Sequence, residues 1–287
     1  MKGWLLSALM GLAAIAPAHA LQVVDDRGVT ITFAQTPQRI VSMLPSLTES
    51  VCAMEQCQRL VGVDRYSNFP ESLKNLPKLG GGMDPNIEGI VALKPDVVLV
   101  SGKSRSTERL EALGIKVVAL ETKTHADVKR VLKVLGVLLA VPEAQGADRL
   151  WRIIDRSVSA AAQSLPAKAK TARVYFEVSR GPYAAGESSF IGETLARLGV
   201  KNVVPAKLGP FPLLNPEYVV RSNPDVIMIG DRSPVDTVFY PGWNSIKAVK
   251  NNRVCIFGLG DSDVVVRPGP RMAEAARLMA KCLESYE

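Results

Sequence analysis

Apolar residues recur along this chain at two different spacings, and the spacing switches from segment to segment. From 142 to 165, PEAQGADRLWRIIDRSVSAAAQSL, the residues Ala147, Leu150, Trp151, Ile154, Val158, Ala161 and Leu165 return every three or four positions. That places them on one side of a helix of about six turns. Pro142 suits its first turn, where a missing amide needs no partner, and Pro166 stops the run. Before it, 21–36 alternates around Asp26-Arg27-Gly28 and predicts a small hairpin. RIVSMLP (39–45), LVGVD (60–64), VVLV (97–100) and IKVVAL (115–120) predict strands, separated by helices over 47–54, 86–93, 107–113 and 125–140. Ser46 or Thr48 suits the cap of the first of these helices. After the long helix the alternation resumes. ARVYFEV (172–178), VIMI (226–229) and RVCIFG (253–258) predict strands, and helices are expected over 190–199, 216–223, 245–252 and 271–285. GLGDSDVVVRPGP is expected to be a loop before the last helix. Apolar runs without alternation mark strands covered on both faces, so the pattern predicts α/β structure with mostly parallel sheets.

The two halves match each other. IEGIVALKPDVVLV at 87–100 aligns with PEYVVRSNPDVIMI at 216–229, pairing Asp96 with Asp225, Pro95 with Pro224 and Glu88 with Glu217 at unchanged spacing. LTESVCAM pairs with IGETLARL, setting Glu49 opposite Glu193. A pseudo-repeat of this kind predicts two lobes and makes the helix at 142–165 their connector. The expected division is a leader at 1–20, a first α/β lobe at 21–140, the connecting helix at 141–167 and a second lobe at 168–287.

Composition narrows the function. MKGWLLSALMGLAAIAPAHA has an early Lys, a short apolar core and Ala18-His19-Ala20, the pattern of a secretory signal cut after Ala20. The absence of a Cys just after that point argues against a lipid anchor, and the apolar core is too short to span a bilayer. The formal charge of +7 is scattered, without a basic stripe interleaved with aromatics, so nucleic-acid binding is not expected. Export to an oxidising compartment permits bridges between Cys52 and Cys57 and between Cys255 and Cys282. The first requires the helix around Cys52 to end near Met54 or Glu55. With His19 in the leader, His125 is the one histidine left, and no metal site is expected. The glycines at 80–82 free the backbone for a tight turn but open no helix with phosphate-cradling spacing.

PQRIVSMLPSLTE at 37–49, LVGVDRYSNFP at 60–70, LGGGMDPNIEGIVALKPDVVLV at 79–100 and LEALGIKVVAL at 110–120 carry a resemblance, continued by the connecting helix and by 186–205 and 216–229. In that order they resemble the periplasmic substrate-binding proteins of ABC importers for siderophores, haem or vitamin B12. The loops look most similar to the vitamin B12 binder, notably SNFP after Tyr66 and GDSD before the last helix. They lack that binder's Trp just before Gly80 and its Trp in the PFPLL segment. The resemblance implies two Rossmann-like lobes with mostly parallel sheets, joined by one long backbone helix. It implies a soluble, monomeric periplasmic protein that carries its ligand to membrane permease subunits and catalyses nothing. The ligand it implies is a corrinoid, cobalamin or cobinamide, with haem or an iron-siderophore as alternatives, and no resident cofactor.

Loops at the C-terminal ends of the strands are where open α/β sheets bind ligands, and the resemblance puts the ligand between the lobes. The first-lobe candidates are Leu44, Pro45, Ser46, Tyr66, Gly82, Met83, Asp84, Ser101, Lys103 and Arg105. The second-lobe candidates are Tyr183, Phe211, Arg232, Tyr240, Trp243, Asp261 and Arg267. Aromatic faces suit a flat macrocycle, and arginines suit carboxylates or phosphate. The resemblance also implies that Glu49 and Glu193, one per lobe, stand exposed and dock on the importer. Each also suits a helix N-terminus, where the dipole favours an acid. The rival reading is an exported hydrolase or metal-dependent enzyme. The chain has no G-x-S-x-G, no HExxH and too few histidines for a Ser-His-Asp set, and Asp84, Asp261 and Asp263 read equally well as capped turns.

Overall fold

The computed structural model describes residues 20–102, 104, 106–230 and 240–284. The chain opens on an antiparallel hairpin of β1 (Leu21–Val24) and β2 (Thr30–Phe33). The first sheet follows, with β3 (Ile40–Ser42), α1 (Pro45–Ala53), β4 (Leu60–Val63), α2 (Ile87–Ala92), β5 (Val97–Ser101), α3 (Thr107–Ala112), β6 (Val117–Leu120) and α4 (His125–Leu138). Its strands are parallel in the order β4-β3-β5-β6. Strands β5 and β6 are buried on both faces, as their unbroken apolar runs require.

The connector is α5 (Ala147–Ser164), shorter than the predicted 142–165. Pro142 lies in a turn before it, with the Gln145 and Gly146 amides both bonded to the Pro142 carbonyl. The predicted face is the one that packs: Ala147, Leu150, Ile154, Val158 and Ala161 are buried, and Trp151 sits at the margin against His125. Full burial of a side chain such as Ile154 or Val158 stabilises the fold by about 2 kcal/mol.

The second sheet uses β7 (Arg173–Ser179), β8 (Tyr183–Ala184), α6 (Phe190–Arg197), β9 (Lys201–Asn202), α7 (Pro216–Ser222), β10 (Val226–Ile229), α8 (Lys247–Lys250) and β11 (Val254–Ile256). Its order is β11-β10-β7-β8, with β9 also beside β7 and only β8 antiparallel. Helices α9 (Leu259–Val266) and α10 (Met272–Glu284) end the described chain, and α10 packs against α5 and α9. Helix α9 replaces the predicted loop. Its buried Val264 and Val265 supply the packing, while LGDSDVVV lacks the three-four spacing that would have announced a helix.

The internal match is structural. The Asp96 carboxylate accepts from the Gln38 and Arg39 amides, both at 2.8 Å, and the Asp225 carboxylate accepts from the Arg173 amide at 3.0 Å. Each acid thus pins the entry of its own strand to the strand beside it. Glu88 and Glu217 likewise both stand in the first turn of their helices.

Both cysteine pairs are bridged. Helix α1 ends at Ala53 and Glu55 takes a positive φ of 62°, which is the break that the Cys52–Cys57 bridge needs. Neither Ser46 nor Thr48 caps α1. Leu44 holds the cap position, Pro45 opens the helix, and the Thr48 hydroxyl bonds Ser42 Oγ instead. Among the described residues no helix is long and apolar enough to cross a membrane.

Candidate functional site

In the first sheet β3 lies between β4 and β5, so the connection to β4 runs to one side of β3, the connection on to β5 crosses to the other, and a crevice opens at the strand ends. A cavity of about 390 Å³ occupies that place. Met43, Leu44 and Pro45 reach it from the end of β3, Asp64 and Tyr66 from β4, and Val100, Ser101, Ser104 and Ser106 from β5. Gly82, Met83 and Pro85 close it from the glycine-rich loop. Gly80 gives that loop its turn at φ 84°, where a Cβ would lie 2.3 Å from the Asp84 carbonyl oxygen. Met83 is 79% exposed and Tyr66 49%, so both present apolar surface at the cavity rim.

Asp64 is buried at the base of the Tyr66 loop. Its Oδ1 accepts from the Tyr66 amide at 2.8 Å, and its Oδ2 accepts from Ser67 Oγ. Burial pushes its carboxyl above the ordinary aspartate range, opposed by these bonds and by the charges of Arg267 and Lys78.

Of the predicted ligand residues, Leu44, Pro45, Tyr66, Gly82, Met83 and Ser101 meet at this cavity. Ser46 is buried beside Gly269 and is not part of the wall. Asp84 turns to Arg65 and to the Gly81 amide. Lys103, Arg105 and Arg232 lie outside the described residues.

The second-sheet candidates divide differently. Tyr183 is exposed and forms an antiparallel bridge with Leu213. The Tyr240 hydroxyl accepts from the Gly181 amide at 2.9 Å and donates to Glu177 at 3.2 Å. Phe211 is half-buried against Phe190, with ring centroids 6.0 Å apart. Asp261 is exposed on the first turn of α9. Trp243 is corrected outright. It is 1% exposed, its ring stands edge-on to Tyr175 and its Nε1 donates to the Pro216 carbonyl, so it is core of the second lobe.

Arg267 is also corrected as a ligand-facing cation. It is 5% exposed, and its guanidinium donates to Glu49, Asn68 and the Tyr66 carbonyl and pairs with Asp263. Glu49, expected to stand exposed, is buried and accepts from Arg267 Nη1 at 2.8 Å and from Arg271 Nη2 and Nε at 2.7 and 2.9 Å. Glu193 is half-buried, and its Oε2 accepts from the His125 amide at 2.5 Å. Both carboxylates therefore join elements of the first lobe to elements of the second. At the Glu193 seam two helix N-termini meet, so one acid serves the first turn of α6 and the first-turn amide of α4 together. His125 Nε2 lies 2.9 Å from Thr194 Oγ1 and 3.1 Å from the Phe190 carbonyl, and burial holds its pKa below the ordinary histidine value.

The Periplasmic binding protein family matches residues 40–258. This chain belongs to that family. It is similar to YvrC of Bacillus subtilis (strain 168), an uncharacterized ABC transporter substrate-binding lipoprotein. The two are 30% identical over 274 residues, covering 90% of this chain and 84% of the relative. It is similar to a vitamin B12-binding protein of Yersinia pestis (strain Pestoides F), 30% identical over 213 residues, 71% of this chain and 74% of the relative. A solved periplasmic haem-binding protein from Pseudomonas aeruginosa superposes with a TM-score of 0.72 at 26% identity, covering 87% of this chain and 93% of that one. The family is one of periplasmic binding proteins, and the relatives' names tie it to substrate binding for ABC transporters.

Part of the cavity wall lies outside the predicted set. Ser104 and Ser106 stand in the same SGKSRS loop as the predicted Lys103 and Arg105. Met43 lies inside the predicted strand 39–45 and Asp64 closes the predicted strand 60–64, where a polar residue ending an apolar run is the available signal.

Proposed function

We propose that this protein captures a corrinoid, cobalamin or cobinamide, in the cavity beside Tyr66 and Met83 and delivers it to the permease subunits of an ABC importer. The observation that carries the reading is the composition of the wall at the switch point. Met43, Leu44, Met83, Val100 and Tyr66 offer apolar and aromatic faces, Ser101, Ser104 and Ser106 offer neutral hydroxyls, and the lining carboxyl of Asp64 is turned to the Tyr66 amide and to Ser67. A corrinoid presents both counterparts, a broad macrocycle and a rim of uncharged amides. Apolar faces gain by burying the ring, and hydroxyls pair with amides at a smaller desolvation cost than charged groups would carry. Relatives named vitamin B12-binding proteins support the same class. The corrinoid is cargo rather than a resident cofactor, and the continuous α5 favours modest lobe motion over wide opening.

The second reading is haem or an iron-siderophore, favoured by one feature: the exposed Tyr66 phenol on the cavity rim suits ferric iron. Native mass spectrometry of the exported protein, followed by titration with cyanocobalamin, cobinamide, haemin and ferric siderophores, separates the two. One-to-one corrinoid binding that survives Tyr66→Phe is the expected result. Tight haemin binding with a charge-transfer band lost in Tyr66→Phe, and no corrinoid binding, would replace the corrinoid with haem.

A further inference from the structure

Arg267 follows α9, among the elements that complete the second lobe, yet its side chain is committed to the first. Nη1 donates to Glu49 Oε1 on α1 and to Asn68 Oδ1, both at 2.8 Å. Nη2 donates to the Tyr66 carbonyl at 2.9 Å and pairs with Asp263 at 2.9 Å. Asn68 Nδ2 in turn donates to Asp263 Oδ2 at 2.7 Å, so the Asn68 amide is held at both ends by the second lobe. A buried guanidinium offers a rigid fork of donors, and four acceptors in fixed directions leave it one arrangement.

The loop so held is the one that carries Tyr66 to the cavity. From the first lobe it is anchored by Asp64 to the Tyr66 amide and to Ser67, and by Lys78 Nζ to the Ser67 carbonyl at 2.6 Å. Those bonds shape the turn from below. The contacts of Arg267 and Asp263 fix it from the facing side, and they exist only while the two lobes keep their spacing.

We propose that Arg267 is a positioning residue that sets the Tyr66 wall of the ligand cavity from the opposite lobe, with Asn68 as its handle. The cavity's affinity is thereby coupled to the lobe-to-lobe seam, although Arg267 does not line the cavity. The affinity part of this inference rests on the cavity being the ligand site, and the ordering of the loop does not.

The test variant is Asn68→Ala, which removes the handle and leaves the Glu49–Arg267 pair in place. Arg267→Lys is the second variant, because one ammonium cannot reach four acceptors. In hydrogen–deuterium exchange without ligand, both variants should speed exchange of the 64–69 segment about 5- to 20-fold while β5 stays as in the wild type. With cyanocobalamin or haemin as probe, whichever the wild type binds, Asn68→Ala should weaken affinity by a similar factor. In a Tyr66→Ala background the same change should add less than about twofold, since two residues acting through one wall do not add. Unchanged exchange at 64–69 in Asn68→Ala overturns the proposal, and so does a full independent loss of affinity in the Tyr66→Ala background. If the wild type binds neither probe, the proposed function is what fails, and the exchange measurement still decides the positioning role.

Discussion

Glu49 is the residue at which a buried and an exposed reading diverge most sharply, and Glu49→Gln separates them. Its side chain is 3% exposed and receives three charge-assisted bonds from two arginines, with the Arg267 side chain 5% and the Arg271 side chain 14% exposed. Substituting the amide removes the negative charge and turns an NH2 toward a guanidinium. Breaking a buried ion pair from one side costs about 3–5 kcal/mol, because the remaining charge is left without compensation. Asp263 still neutralises Arg267, and Arg271 retains some contact with water and a stacking contact over Phe69, its Cζ 4.4 Å from the ring centroid. The lower end of the range, about 3 kcal/mol, is therefore expected. For a chain of this size that is a fall in Tm of roughly 6–12 °C. The assay is thermal and urea unfolding of Glu49→Gln beside Glu217→Gln, whose side chain is 75% exposed and 4.0 Å from Arg221. The control should stay within about 0.5 kcal/mol of the wild type. A Glu49→Gln protein as stable as that control would refute the buried seam and restore Glu49 as a free surface acid.

His125 gives a pH dependence. Burial lowers its pKa, so below about pH 6.5 the unfolded chain takes a proton that the folded chain resists, and stability present above that pH declines as the pH falls toward the folded value. His125→Gln should flatten the slope of Tm against pH between 7 and 5; parallel slopes for variant and wild type would contradict the buried setting. Opening the Cys255–Cys282 bridge, with a sequence separation of 27, should cost about 3–4 kcal/mol in the chain-entropy account. Opening Cys52–Cys57, with a separation of 5, should cost about 2 kcal/mol, and urea midpoints of the paired Cys→Ser variants check the order. A Cβ on Gly192 would lie 2.1 Å from the Gly186 carbonyl oxygen, so Gly192→Ala should destabilise by about 1–3 kcal/mol in the same assay.

The order of elements was legible in the sequence because it depends on local spacing. VVLV and VIMI are short, largely β-branched runs entered from Pro-Asp, which marks strands sheltered on both faces, and the three-four recurrence from Ala147 to Ala161 fixes which side of α5 is buried. The Pro-Asp match between the halves was legible because its spacing to the following strand is local, although the amides each aspartate binds belong to the strand beside it. Six of the cavity residues were found from the rule that strand ends bear ligands. What tertiary structure alone decided is which polar and aromatic side chains face the cavity and which face protein. Trp243 reads as well for a cleft as for a core until Tyr175 is set against it. Arg267 reads as a ligand cation until Glu49, 218 positions away, is brought to within 2.8 Å. A charge or an aromatic ring announces that it needs a partner, and sequence spacing carries that need. The identity of the partner depends on how two separately built lobes are packed together, and no local pattern encodes it.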